Sequence, residues 1–337
     1  MLYYYALLYY NINLKQIKTM KKIHLISTLI GLLAFSTISK ADLKVVTSIK
    51  PIHSLASYIM DGVGSPGLIV DGYNSPHSFQ LKPSHAKMLE QADIIFWIGE
   101  DLENFLEKPL ATIAKKAEKI ELLEIKGIKK LKFRERNIFE EHEGHDDHGH
   151  DAKKEEHDDH DDHDDHDDHG HGEYDPHIWL DPINAKVILN EITEHLIEND
   201  SKNAATYKSN LAKAISEIDK LIIDVITETN TDLSYVVFHD AYQYYENRFN
   251  VNILGAMTVN PDVMPGAEQI HEIHEVIEHD NVSCILSEPQ FNPDIIKSIA
   301  KDTSVKTGVL DPLGANLKPG KDLYFDLIRN MSASFNC

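Results

Sequence analysis

A basic face is what this 337-residue chain most plainly lacks. Lys and Arg number 33 against 55 Asp and Glu, a formal charge of −22 at pH 7. Nucleic acid needs clustered cations on its partner, so it is excluded as a ligand. The imbalance is also local: residues 140–173 hold 17 carboxylates against 2 lysines, so −15 of the charge sits there and the rest of the chain is only mildly acidic. Long apolar runs are missing too. The one candidate, Ile23 to Ile38, spans 16 residues, short of the roughly 20 that cross a bilayer as a helix. Cysteine is nearly absent, with only Cys284 and Cys337. Neither lies near the amino terminus, which argues against a lipid anchor there.

What does stand at the amino terminus reads as an export address. Met20-Lys21-Lys22 is a short positive start, Ile23–Ile38 is apolar apart from scattered His, Ser and Thr, and Ser39-Lys40-Ala41 is a small-x-small cleavage signal. We expect cleavage after Ala41 and a soluble, exported mature protein. Residues 1–19 precede a complete signal with its own Met and read as an extension from a wrongly assigned start. Export to an oxidising compartment favours a disulfide between Cys284 and Cys337, with a buried thiol and a frayed end as the alternative.

Beyond the signal, short β-branched or apolar runs alternate with helical spacing. Strands are expected at Leu43–Ser48, Gly67–Asp71, Asp93–Gly99 and Ile120–Ile125, with helices over Pro51–Met60, Ser84–Gln91 and Leu102–Lys119. After Pro182 come helices at Ile183–Glu198 and Asn203–Thr229, the second uninterrupted by Gly or Pro. Further strands follow at Leu233–Phe238, Val251–Met257, Val282–Leu286 and Val305–Leu310, with a helix from Pro265-Gly266 to His279. This predicts an α/β protein with parallel sheets: one lobe over 42–182, helices over 183–230 and a second lobe over 231–337. The helix over 203–229 would exceed 35 Å at about 1.5 Å per residue and make a stiff link between the lobes.

One tract breaks the rhythm. Asp-Asp-His occurs five times, at 146–148 and through 158–169, within a segment of about 140–173 that holds no residue able to build a core. A disordered surface loop is expected. Its histidines (His142, His145, His148, His150, His157, His160, His163, His166, His169 and His171) interleave with carboxylates and offer weak, exchanging sites for a borderline divalent metal such as zinc. A solvated acidic linker is the duller reading, but solubility alone does not call for His at every third position.

A positioned site stands apart from that tract. In open α/β sheets ligands bind beyond the carboxyl ends of the strands. His77, His239 and Asp311 each follow such an end, and His177 is fixed between two prolines in Asp175-Pro-His-Ile-Trp-Leu-Asp-Pro182. Three imidazoles and one carboxylate would complete a four-coordinate zinc site in a cleft between lobes. Asp311 could instead cap the turn before Pro312, and Asp181 and Asp240 read as caps or as acceptors that orient imidazoles. His53 and His85 fall on helices and read as structural. In His271-Glu-Ile-His274-Glu275 a His-Glu-x-x-His helix would need histidine at 275, so this is an exposed polar face.

These residues carry a resemblance. Ser75-Pro-His-Ser-Phe-Gln-Leu-Lys-Pro-Ser84, Asp175–Pro182, Val237-Phe-His-Asp-Ala-Tyr242, Thr258-Val-Asn-Pro261 with Pro265-Gly266, Ser287-Glu-Pro-Gln-Phe291 and Leu310-Asp-Pro-Leu-Gly314, together with the His-rich loop, resemble the zinc-specific solute-binding receptors of bacterial ABC importers. The resemblance covers nearly the whole mature chain. It implies two Rossmann-like lobes joined by one long rigid helix, a monomer, a single Zn2+ carried as cargo, and handover to an inner-membrane permease. It carries ligand roles onto His77, His177, His239 and Asp311, and matches Cys284–Cys337 to a disulfide of such receptors. Manganese-selective relatives place a carboxylate where His239 stands; imidazole favours zinc. Some zinc receptors have a Glu before the first ligand, where this chain has Pro76, so that role does not transfer. Two competitors remain. A secreted zinc hydrolase would use an open fourth position, though no general base is placed by motif. A buffer acting through the loop alone would lose tight binding when the loop is deleted.

Overall fold

The computed structural model describes residues 42–134, 136–139, 172–259, 261, 263, 265–301, 303 and 305–337. The expected signal segment and the ten loop histidines lie outside the described residues.

Leu43–Cys337 forms one compact unit built on two parallel sheets. The first has strands β1 (Val45–Thr47), β2 (Gly67–Leu68), β3 (Ile94–Trp97) and β4 (Glu118–Glu121) in the order β2-β1-β3-β4. The second has β5 (Ser234–His239), β6 (Asn252–Thr258), β7 (Cys284–Ser287) and β8 (Lys306–Val309) in the order β6-β5-β7-β8. The two orders are the same, so each half is an α/β unit whose connections run outward from a central pair of strands. All residues of β1, β3, β5 and β7 are buried. Strands covered on both faces carry continuous rather than alternating apolar runs, and β3 reads Ile-Ile-Phe-Trp.

Helices α1 (Lys50–Ile59), α2 (Pro83–Gln91) and α3 (Glu100–Thr112) belong to the first half. Pro51 sits in the first turn of α1, where its missing N–H removes no bond. Ile52, Leu55, Ala56 and Ile59 then present one buried stripe, each large side chain worth about 1.5–3 kcal/mol of burial. His85 accepts the Lys82 backbone N–H at 3.2 Å, a cap for α2. Helix α3 starts two residues before the expected Leu102 and stops at Thr112 rather than Lys119. Lys115 and Lys116 fall in the turn beyond it, and β4 begins at Glu118, paired with Ile94, instead of at Ile120.

Helix α4 (Pro182–Asn199) opens on Asp181, whose side chain accepts the Ile183 N–H at 2.8 Å. Helix α5 (Ala204–Glu228) has 25 residues, about 37 Å at 1.5 Å each. Its buried stripe of Tyr207, Asn210, Ala214, Ile218, Leu221 and Val225 recurs every three or four residues. Asn210 closes the end of α1 by donating to the carbonyls of Ile59 and Asp61 at 3.0 and 2.9 Å. The second half adds α6 (Gln243–Phe249), α7 (Ala267–His279), α8 (Asp294–Lys301) and α9 (Leu323–Ser334). Helix α9 packs on both α1 and α5, so helices of the two halves share one interface.

Polar bonds tie the halves together as well. Buried Lys50 donates to the carbonyls of Gly314, Ala315 and Leu317 at 2.8–2.9 Å. The Trp179 indole N–H donates to the Pro312 carbonyl at 2.8 Å, and the Tyr324 hydroxyl donates to the Trp179 carbonyl at 2.9 Å. Arg248 meets Asp181 with two 2.7 Å bonds. Ahead of the His-rich tract, Ile138 pairs antiparallel with Gly255 on β6. A Cβ at Gly255 would fall 2.8 Å from the Asn137 carbonyl oxygen, so glycine is what admits this backbone to the sheet edge. Cys284 and Cys337 form a disulfide that fastens the carboxyl terminus to β7.

Candidate metal centre

In the second sheet β5 and β7 are neighbours whose connections leave in opposite directions, which opens a crevice at their carboxyl ends. His239 is the last residue of β5, and Glu288 directly follows β7. The pair faces across that crevice with His239 Nδ1 3.1 Å from Glu288 Oε1. His177 arrives from the other half, at the cap of a short 3-10 turn (Ile178–Leu180) that leads into α4. Its imidazole Nδ1 and its backbone N–H both meet Asp175 Oδ1, at 2.7 and 2.9 Å. His77 comes from the loop beyond β2, with its backbone N–H on Ser75 Oγ at 3.2 Å.

The three rings converge. Centroid separations are 5.6 Å for His77–His177, 5.3 Å for His77–His239 and 5.0 Å for His177–His239. Each ring offers one nitrogen, and the three nitrogens lie within 4.8 Å of one another. Tetrahedral zinc with Zn–N near 2.0–2.1 Å needs nitrogens about 3.3–3.4 Å apart, so small side-chain rotations close the set. His239 Nε2 is buried and makes no hydrogen bond, while its Nδ1 is held by a carboxylate. Such an acid–imidazole pair fixes the tautomer and leaves the far nitrogen as a ligand. Trp179 packs at 5.3 Å from the His177 ring and Phe291 at 6.3 Å from that of His239, which keeps the pocket apolar around its donors.

The electrostatics suit a cation. Burial raises Asp175 to about 7, Asp240 to about 6 and Glu246 to about 7. Arg134 offsets part of this through bonds of 2.9 Å to Asp240 and 2.7 Å to Glu246. Burial holds His177 well below the ordinary imidazole value. It pulls His239 down as well, but the adjoining Glu288 outweighs it and the net shift is upward. Anions that are unfavourable when buried become favourable beside a dication.

Asp311 stands outside the three-histidine group. Its Oδ1 accepts from the Leu313 and Gly314 amides and from Gln290 Nε2 at 2.9–3.0 Å, and its Oδ2 accepts from the Ala315 amide at 2.5 Å. These donors make it the organiser of the turn, and Oδ2, with the one donor, keeps capacity for a further bond. Asp181 is a helix cap in ion pair with Arg248, and Asp240 pairs with Arg134. His53 is buried in α1, and His271 is exposed beside Glu275. Asp175 and Glu288, not selected as orienting groups in the sequence, hold the His177 and His239 imidazoles. The Asp-Pro-His spacing is the signal that could have identified Asp175.

Known proteins with this architecture are informative. A family profile described as "Zinc-uptake complex component A periplasmic" matches residues 45–336. The high-affinity zinc uptake system protein ZnuA of Brucella abortus is 46% identical over 300 residues, covering 86% of this chain and 90% of the relative. Its namesake from Yersinia pestis is 35% identical over 309 residues, covering 90% and 94%. A crystal structure of ZnuA superposes with a TM-score of 0.68 at 20% identity, covering 88% of this chain and all of that one, a likeness of fold. With a profile match over nearly all of Leu43–Cys337 and curated relatives above one-third identity, the chain belongs to the ZnuA family of periplasmic zinc-uptake components.

Proposed function

We propose that this chain binds Zn2+ in the periplasm as cargo, through His77, His177 and His239, and delivers it to the permease of an ABC importer without catalysing a reaction. The observation that carries this reading is the convergence of three imidazoles, two of them backed by buried carboxylates, at the carboxyl ends of two sheets. An all-imidazole donor set favours zinc over manganese, which prefers oxygen. Three protein donors leave a fourth position for solvent, so the ion can exchange. Asp311 supports the site as the organiser of the 311–315 turn. The His-rich segment acts as an auxiliary, low-affinity collector, and cleavage after Ala41 delivers a monomer to the periplasm.

Calorimetric titration with Zn2+ and Mn2+, on the mature protein and on His239→Ala, tests this. The parent should show one tight zinc class, far weaker manganese binding, and loss of the tight class in the variant. Retention of tight zinc binding by His239→Ala would sink the ligand assignment.

A further inference from the structure

The same acid–imidazole device recurs far from the cleft. His195 lies near the carboxyl end of α4, fourteen residues beyond Asp181, about 21 Å along the helix. Its Nε2 meets Glu191 Oε1 at 3.1 Å. Its Nδ1 lies 2.9 Å from Glu118 Oε1 at the start of edge strand β4, yet is buried and makes no hydrogen bond. The contact therefore brings a nitrogen and a carboxylate oxygen together out of line for a shared proton. Glu198, one turn further along α4, supplies a third donor, and the ligating atoms of Glu118, His195 and Glu198 all lie within 4.8 Å of one another.

We infer that Glu118, His195 and Glu198 form a second divalent-cation site, for which Zn2+ is the best-matched ion. The tautomer argument is that of the cleft with the nitrogens exchanged. Glu191 takes the Nε2 proton, which leaves the Nδ1 lone pair directed at the two carboxylates. Asn199 Nδ2 donates to Glu118 Oε2 at 3.0 Å and steadies that carboxylate. Phe96 lies edge-on to the imidazole at 6.2 Å and limits its rotation. The carbonyl end of an 18-residue helix adds negative potential where the cation would sit, and no Lys or Arg occupies its last turn. One nitrogen and two oxygens form a weaker zinc set than three imidazoles. The site would thus fill after the cleft and brace α4 against β4.

The site does not rest on the cleft assignment, and the two can fail separately. Crystals of the full chain grown with excess Zn2+ are measured on both sides of the zinc absorption edge. An anomalous peak is expected within coordinating distance of His195 Nδ1, Glu118 and Glu198, besides any in the cleft. Solution titrations should find one fewer zinc ion bound by His195→Ala than by the parent, with the tight class unchanged. Glu191→Gln, which touches only the far nitrogen, should weaken that ion by roughly 10- to 100-fold. Absence of the peak while the cleft is filled, or equal zinc counts for parent and His195→Ala, would overturn the inference.

Discussion

Asp175 offers the sharpest test of how the cleft is held. Its Oδ1 receives the two N–H groups of His177, from Nδ1 at 2.7 Å and from the backbone at 2.9 Å, and the residue is fully buried. Asp175→Ala removes this shared acceptor, frees the imidazole to turn and strands a buried N–H. Loss of such an outer acceptor weakens a metal about 10- to 100-fold, or roughly 1.4–2.7 kcal/mol. Stranding the donor costs a further 1–3 kcal/mol or so of stability. Asp175→Asn keeps an acceptor at the same place and loses only the charge, so its zinc affinity should fall between parent and Asp175→Ala. Competition with a chromophoric chelator measures the affinities, and thermal unfolding without zinc isolates the stability term. If Asp175→Ala holds zinc within about threefold of the parent, the carboxylate does not orient His177 and the reasoning fails.

Glu103 makes stability depend on pH. Burial raises it from 4.5 to about 7, whereas the unfolded chain ionises near the lower value. The stability associated with the neutral acid is full below about pH 4.5 and is lost as pH rises through 7, a difference of about 3 kcal/mol. Glu103→Gln should flatten this slope in urea midpoints taken across that window; parallel curves would contradict it. Asp311→Ala should lower the melting temperature by freeing the amides of Leu313, Gly314 and Ala315, while reducing zinc affinity less than His239→Ala does. Cys337→Ser opens a loop closed over 53 residues, an expected loss of about 4 kcal/mol on the chain-entropy account, checked by denaturant titration under oxidising conditions.

Much of this was legible in the chain. Continuous apolar runs marked the buried strands, and the flanking prolines marked His177 as a fixed imidazole. What the sequence hid was adjacency. Glu288 follows a strand that is β5's neighbour in space but lies 49 residues from His239, and only the sheet order brings them together. Asp311 carries both of its expected readings: it follows a strand as a ligand would, and the Asp-Pro-Leu-Gly turn supplies amides for it to cap. Helices α6 and α8, of 7 and 8 residues, are too short for a helical period to stand out. The overrun of α3 came from residues whose side chains suit a helix but whose backbone goes to the turn over 113–117 and to the start of β4.

The ammonium of Lys50, locked among three carbonyl oxygens of the opposite half, has a kinetic corollary. Walls bolted in this way are shaped before any ion arrives, so loading the site would call for side-chain rotations at the histidines and not for closure of one half on the other. On the proposed reading, release would likewise pass through the open fourth position of the site and not through a hinge between the halves.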